Sequence, residues 1–322
     1  SEHTSYLTAL MVKEIVNSEI LPEGSLQLVP GTGIGILNYV SHNDVVSFTG
    51  SASTGKLLKS HPNILEHSVP FNMEADSLNA CVLGTDVNKD SEEFEIFIKE
   101  IYREITVKTG QKCTAVRRIL VPEKMIEDVQ KSLIKKLEKT IIGDPENKSV
   151  RMGALASKIQ VERVKENVKL LMNSQEKVYG DYEDFKVVDA SIENGAFFSP
   201  ILFRNNEPFL RDDVHKIEAF GPVSTLIPYK NMDEAIELVE MGKGSLVTSF
   251  VSNNDNLSRD FVVQAAHVNG RILVLNSRCS KESTGHGSPM PLLTHGGPGR
   301  AGGGEEMGGI RGIKHYLQRT AI

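Results

Sequence analysis

Thr109-Gly110-Gln111-Lys112-Cys113-Thr114 carries the side chain best equipped for covalent chemistry. Cys113 follows a glycine and two polar residues directly after an amphipathic stretch, which predicts a partly accessible thiol. Lys112 is a neighbouring cation that favours the thiolate, the reactive form of cysteine. Local sequence alone leaves a structural cysteine open. Phe71-Asn72-Met73-Glu74-Ala75-Asp76 places carboxylates just after an apolar strand, so Glu74 is a candidate general base, with a solvated acid as the plain alternative. Glu218-Ala219-Phe220-Gly221-Pro222-Val223 sets another acid before a rigid turn, a weak signal on its own.

Two glycine turns could approach phosphate. Gly31-Thr32-Gly33-Ile34-Gly35 misses the G-x-G-x-x-G spacing, because position 36 is Ile, and reads better as a plain turn. Gly50-Ser51-Ala52-Ser53-Thr54-Gly55-Lys56-Leu57 follows a strand and opens a helix. Glycines there allow close backbone approach, and free N–H groups at a helix N-terminus attract anions. It nearly matches a P-loop, which makes a P-loop-like nucleotide-binding protein using Gly50 to Lys56 an alternative. Leu57 in place of a hydroxyl, and the lack of a strand of four apolar residues ending in Asp, speak against it. The simplest alternative is a capped helix with Ser51 as N-cap.

The remaining cysteines are less promising. Cys81 lies in an apolar strand and reads as inert core, and Cys279 lies in a polar loop. His286 and His295 show no metal-ligand spacing with any cysteine and read as surface or loop histidines, so no metal site is expected.

The elements that must position these residues alternate between strand and helix. Leu7, Leu10, Met11 and Ile15 recur at helical spacing, as do Phe94, Phe97, Ile101 and Ile105. Further helices are predicted over 129–137, 161–171 and 232–239. Strands are predicted over 26–29, 45–48, 118–121, 224–227, 246–251 and 271–275. The alternation predicts an α/β fold of parallel sheets with helices on both faces. Residues 285–312 hold 11 glycines, too many for a packed core, and 315–322 reads as a terminal strand, completing either another subunit's sheet or an edge of its own domain. Because a nucleotide domain opens on a strand and this chain opens on a helix, an upstream portion is expected.

Composition is that of a soluble globular protein of about two domains. Of 322 residues, 39% are hydrophobic and 24% charged. A net charge of −6 argues against nucleic-acid or anionic-membrane partners. Three cysteines do not make a disulfide framework and fit a reducing, cytoplasmic setting.

Taken in order, the segments resemble the aldehyde dehydrogenase superfamily along essentially the whole chain. Phe48-Thr49-Gly50-Ser51 with Gly55 looks like its cofactor turn, Glu74 like its general base, Gly110-Gln111-Lys112-Cys113 like its nucleophile motif, and Glu218 to Val223 like its E-x-F-G-P-V motif. Gly153-Ala154-Leu155 and Phe198-Ser199-Pro200 fit weaker landmarks. Met73 to Asn79, which replaces the usual E-L-G-G, and the stretch from Ser283 to Glu306 resemble the branch that oxidises CoA-linked semialdehydes in phenylacetate catabolism and is fused to a hydratase domain.

The resemblance implies NAD(P)-dependent oxidation of an aldehyde to an acid, with Cys113 as nucleophile and Glu74 activating water. Gly50, Ser51, Gly55, Glu218 and Phe220 would bind NADP or NAD, and Glu2 would face the adenosine ribose. It further implies three regions: 1–76 as the C-terminal part of the NAD(P)-binding domain, 77–300 as the catalytic thiol domain, and 301–322 as a glycine-rich return segment with an oligomerisation strand. A homo-oligomer is expected of the parent. A catalytically incomplete folding or oligomerisation unit is the other alternative.

Overall fold

The computed structural model describes residues 2–31, 33, 35–318 and 320–322, without the side chains of Glu2 and His3. The expected Glu2–ribose contact therefore lies outside the described residues, as do Thr32 and Ile34 of the first glycine turn and Arg319 of the terminal segment. The chain divides into two units, Ser1–Asp44 with Lys59–Pro70, and Val45–Leu58 with Phe71–Ile322.

In the first unit the predicted opening helix spans Glu2–Asn17 and a shorter one spans Pro62–Glu66. The Asn63 side-chain amide ties the shorter helix to the carbonyls of Leu37 and Asn38 at 3.1 and 2.8 Å. The strand expected at 26–29 is absent: no neighbouring strand lies beside those residues among the described ones, and a lone extended segment has no ladder to form.

In the second unit β1 (Val46–Thr49) and β2 (Phe71–Glu74) form a parallel pair. β1 begins one residue later than expected and is half-buried, not buried. The main sheet comprises β3 (Ala80–Leu83), β4 (Arg118–Pro122), β5 (Glu176–Tyr179), β6 (Ile201–Arg204), β7 (Val223–Tyr229), β8 (Ser245–Val251) and β9 (Asn269–Leu275). Their spatial order is β5-β6-β7-β4-β3-β8-β9, parallel except for the β5–β6 edge. β3 and β4 lie at its centre, and both are buried throughout, as a parallel sheet covered on both faces requires. β10 (Thr294–Gly296) and β11 (Glu305–Met307) make a small antiparallel pair.

The helix Glu92–Thr106 shows why the site can be rigid. Ser91 caps its first turn by accepting the Phe94 N–H at 3.3 Å, and Glu92, Glu93 and Glu95 complement the dipole there. Phe94, Phe97, Ile98, Ile101 and Ile105 share its buried face. Each such side chain stabilises the fold by roughly 1.5–3 kcal/mol when fully buried. The end of this helix is therefore a fixed anchor for the residues that follow.

The glycine-rich tail departs from expectation. Gly304 donates its N–H to the Met73 carbonyl at 2.9 Å, and Ala75 donates to Ala301 at 2.9 Å. Asn72 bonds Glu305 in both directions, at 3.1 and 2.9 Å. A Cβ at Gly302 or Gly304 would collide with the Met73 carbonyl, so the glycines are what let this backbone lie against β2. The end of the chain differs too. Lys314–Tyr316 is a 3-10 turn, and the described residues after it pair with no strand of this chain.

Candidate active site

The helix Glu92–Thr106 runs out in Lys108, Thr109 and Gly110, all left-handed, with φ of 52, 55 and 67°. Such backbone costs non-glycine residues of order 1–3 kcal/mol and persists only where surroundings enforce it. Thr109 Oγ1 donates to the Gly153 carbonyl at 2.9 Å, and the Ala156 N–H donates to Gln111 Oε1 at 2.8 Å. Arg117, buried, donates to the carbonyls of Gly110 at 2.8 Å and Gly221 at 2.6 Å. Asn79, also buried, donates to the carbonyls of Cys113 at 2.7 Å and Ala115 at 3.1 Å. Residues 153–156, Arg117 and Asn79 thus hold the Cys113 loop from three sides.

Cys113 and Glu74 lie side by side in a cleft of about 510 Å³, which Gly50, Ser51, Glu218 and Phe220 also line. Gly55 stands apart. It is buried on the face of its helix that meets Met73, and its N–H is already bonded to the Ser51 carbonyl at 2.9 Å. Lys56 is exposed and does not line the cleft. Ser51 Oγ accepts the Thr54 N–H at 3.2 Å, the expected N-cap. Ala52, next in line, donates to Asp76 Oδ1 at 3.0 Å, and Asp76 is paired with Arg300 at 2.8 Å.

His295 corrects the reading of a surface histidine. Its Nε2 lies 3.0 Å from Glu74 Oε2 and 3.9 Å from Cys113 Sγ, and its side chain is 12% exposed. Among the described residues, Glu74, Cys113 and His295 are the group whose metal-capable atoms all fall within 4.8 Å of one another. His286 is fully buried, with Nδ1 2.7 Å from Ser249 Oγ. No spacing rule links His295 to Cys113, because the glycine tail alone delivers it.

The electrostatics differ from expectation as well. Lys112 pairs with Glu104 at 2.6 Å, so its charge is spent away from the sulfur. Burial, then the charge and hydrogen bond of Glu74, then the charge of Glu218, push the Cys113 thiol up to about 12. Cys113 at rest is therefore a protonated donor to Glu74. For Glu74, burial works upward, but the hydrogen bond and charge of His295, with hydrogen bonds from Cys113 and Glu306, outweigh it and hold the carboxyl below the usual range. Burial and the Glu74 charge and hydrogen bond raise Glu306, which also takes a 3.2 Å hydrogen bond from Thr49. Of the two carboxyls, Glu74 is pushed down and Glu306 up, so Glu74 is the more readily ionised of the pair.

Glu218 is buried opposite Arg117, with Oε1 3.6 Å from Nε, too long for a hydrogen bond. That oxygen has no hydrogen-bond partner. Burial pushes Glu218 up to about 7, against the pull of Arg117. The Arg117 guanidinium lies 5.6 Å over the Phe220 ring.

Cys81 is fully buried, and burial raises its thiol well above the usual range. Cys279 is half-buried in its loop. No helix among the described residues is long and apolar enough to cross a membrane.

Comparison with known proteins agrees with the sequence motifs. The chain is 40% identical to 3,4-dehydroadipyl-CoA semialdehyde dehydrogenase of Aromatoleum evansii, covering 92% of this chain and 57% of that protein. It is 48% identical to Protein MaoC of Klebsiella aerogenes, over 53% of this chain and 50% of that one. The chain thus spans about half the length of the curated relatives it matches. Its fold matches a crystal structure of betaine aldehyde dehydrogenase from Staphylococcus aureus in complex with NAD⁺, with TM-score 0.83 and 22% identity, over 97% of this chain and 59% of that one. The model of the family described as "Aldehyde dehydrogenase family" matches residues 1–322, and with the ordered motifs this places the chain in the aldehyde dehydrogenase family.

Proposed function

We propose that this chain is the thiol-bearing part of an NAD(P)-dependent aldehyde dehydrogenase acting on a CoA-linked semialdehyde, of the kind named for its Aromatoleum relative. The observation that carries the reading is the convergence of the Cys113 sulfur and the Glu74 carboxyl at one cleft. The exposed Lys56 and the whole-length family match leave the P-loop alternative without support.

The cleft fits a dinucleotide on one concrete point. Glu218 Oε1 is a buried acceptor with no partner, suited to a ribose hydroxyl. In this reading Glu218 holds the ribose, Phe220 packs near the nicotinamide, and Gly50 and Ser51 approach the pyrophosphate. When bound, the nicotinamide supplies the hydride acceptor that side chains lack.

The chain's own residues do the rest. As the aldehyde carbon nears Cys113, the thiol proton passes to Glu74 and the sulfur adds to the carbon, giving a thiohemiacetal. The Cys113 backbone N–H stabilises the developing oxyanion, an effect of about 2.7–4 kcal/mol per donor. His295, 3.0 Å from the same carboxyl, favours its ionised form, so Glu74 is restored as a base when the proton leaves for solvent through the cleft. Glu74 then deprotonates the water that releases the acid from the Cys113 thioester.

The test is made on the protein that carries this chain, given NAD⁺ or NADP⁺ and a CoA-linked semialdehyde while reduced cofactor is followed by absorbance. Cys113→Ala should abolish its formation. Turnover within about twofold of the unsubstituted protein would overturn the reading, since loss of a nucleophile costs orders of magnitude.

A further inference from the structure

The same cluster has a donor set that the proposed reaction does not use as such. Cys113 offers a sulfur, His295 a nitrogen and Glu74 an oxygen, all within 4.8 Å of one another. Two ligands on a tetrahedral zinc ion, with bonds of about 2.0–2.3 Å, lie about 3.3–3.6 Å apart. The observed 3.0 Å from Glu74 to His295 and 3.9 Å from His295 to Cys113 straddle that range, so small side-chain rotations suffice.

We propose that Glu74, Cys113 and His295 form a three-ligand site for Zn²⁺ or another borderline-soft divalent ion, with the fourth position open to the cleft, and that its occupation shuts the site down. Charge supports this. A thiolate and a carboxylate neutralise the ion, so no net charge is left buried. The donors select the metal: sulfur and imidazole nitrogen favour Zn²⁺ and Co²⁺ over Mg²⁺ and Ca²⁺, which want oxygen cages. Glu306, hydrogen-bonded to Glu74, supplies an outer partner for the carboxylate. The ion displaces the Cys113 proton to the buffer, the sulfur–metal bond forms, and no oxidation state changes.

Binding itself does not depend on the dehydrogenase reading; the loss of turnover rests on it. The chain is titrated with Co²⁺ and the thiolate-to-cobalt charge-transfer band is followed in the near ultraviolet. Separately, Cys113 alkylation by iodoacetamide is read by mass spectrometry with Zn²⁺ and again after chelation. We expect one cobalt per chain, a band kept in Cys279→Ser and lost in Cys113→Ser, and Cys113 protection that chelator reverses. His295→Ala and Glu74→Gln should each weaken binding by more than the roughly 10–100-fold typical of losing an outer partner. Circular dichroism checks that each variant is folded, and the unsubstituted chain's protection assay stands without them. Absence of both band and protection in the unsubstituted chain, a band that survives Cys113→Ser, or equal protection by Mg²⁺ would overturn the site. If Zn²⁺ binds at Cys113 yet turnover persists in the carrying protein, the shutdown is wrong while the site stands.

Discussion

The Nε2 atom of His295 lies 3.0 Å from the carboxylate of Glu74, and that contact does more than any other neighbour to keep the base ionised in a buried setting. The partner arrives on β10, from a stretch whose glycines let it lie against β2.

Removing His295 should therefore be visible as a shift in pH dependence. A carboxylate held low acts as a base down to its own pKa and stops as pH falls through it. In His295→Asn, burial is no longer outweighed, so the acid limb of the pH profile for thioester hydrolysis should move to higher pH. An unmoved limb would show that His295 does not hold the carboxylate.

Cys113 should alkylate slowly near neutrality. With its thiol near 12, the thiolate fraction grows roughly tenfold per pH unit throughout the accessible range. Iodoacetamide labelling of the Cys113 peptide should follow that slope. In Glu74→Gln the opposing charge is gone, so labelling at a fixed pH should be faster. A plateau beginning near pH 7 would show a preformed thiolate.

The sequence made some of this site legible and not the rest. Glu74 and Cys113 were readable because each belongs to a local motif beside a patterned element. Glu218 and Phe220 were readable by resemblance, but not Arg117, which faces both from β4's approach and carries no motif of its own. His295 and Glu306 were hidden by the glycines around them: composition signals turns and says nothing of what the turns lie against. Lys112 misled for a similar reason, since its ammonium reaches Glu104, eight residues back, instead of the adjacent sulfur. The strands expected at 26–29 and 315–322 had strand-like residues, but a ladder needs a neighbour, and within this chain there is none among the described residues.

Glu218 makes the fold's stability depend on pH in an unusual direction. Its folded-state value of about 7 lies above the ordinary 4.5, so the folded chain binds the extra proton and is favoured at low pH. This contribution is present in full below about 4.5 and lost as pH rises through about 7. Urea midpoints of the unsubstituted chain should fall across that window relative to Glu218→Gln. Parallel curves for the two proteins would contradict it.

Gly110 has no substitute. Its φ of 67° favours glycine, and a Cβ there would meet the Gly221 carbonyl. Gly110→Ala should destabilise by about 2 kcal/mol or more in urea unfolding. Because the loop must shift to make room, it should also change the rate of Cys113 labelling. A loss below about 0.5 kcal/mol would mean the turn is not fixed as described.

The most direct test of the account exposes the chain once to 4-nitrophenyl acetate, an activated ester that needs no cofactor, and follows the acyl group by peptide mass spectrometry. Acetyl should appear on Cys113 and decay, and in Glu74→Gln its decay should slow by roughly 10²–10⁴-fold, the usual contribution of a general base. Acetyl confined to other residues, or decay at the same rate with and without the Glu74 carboxylate, would contradict it.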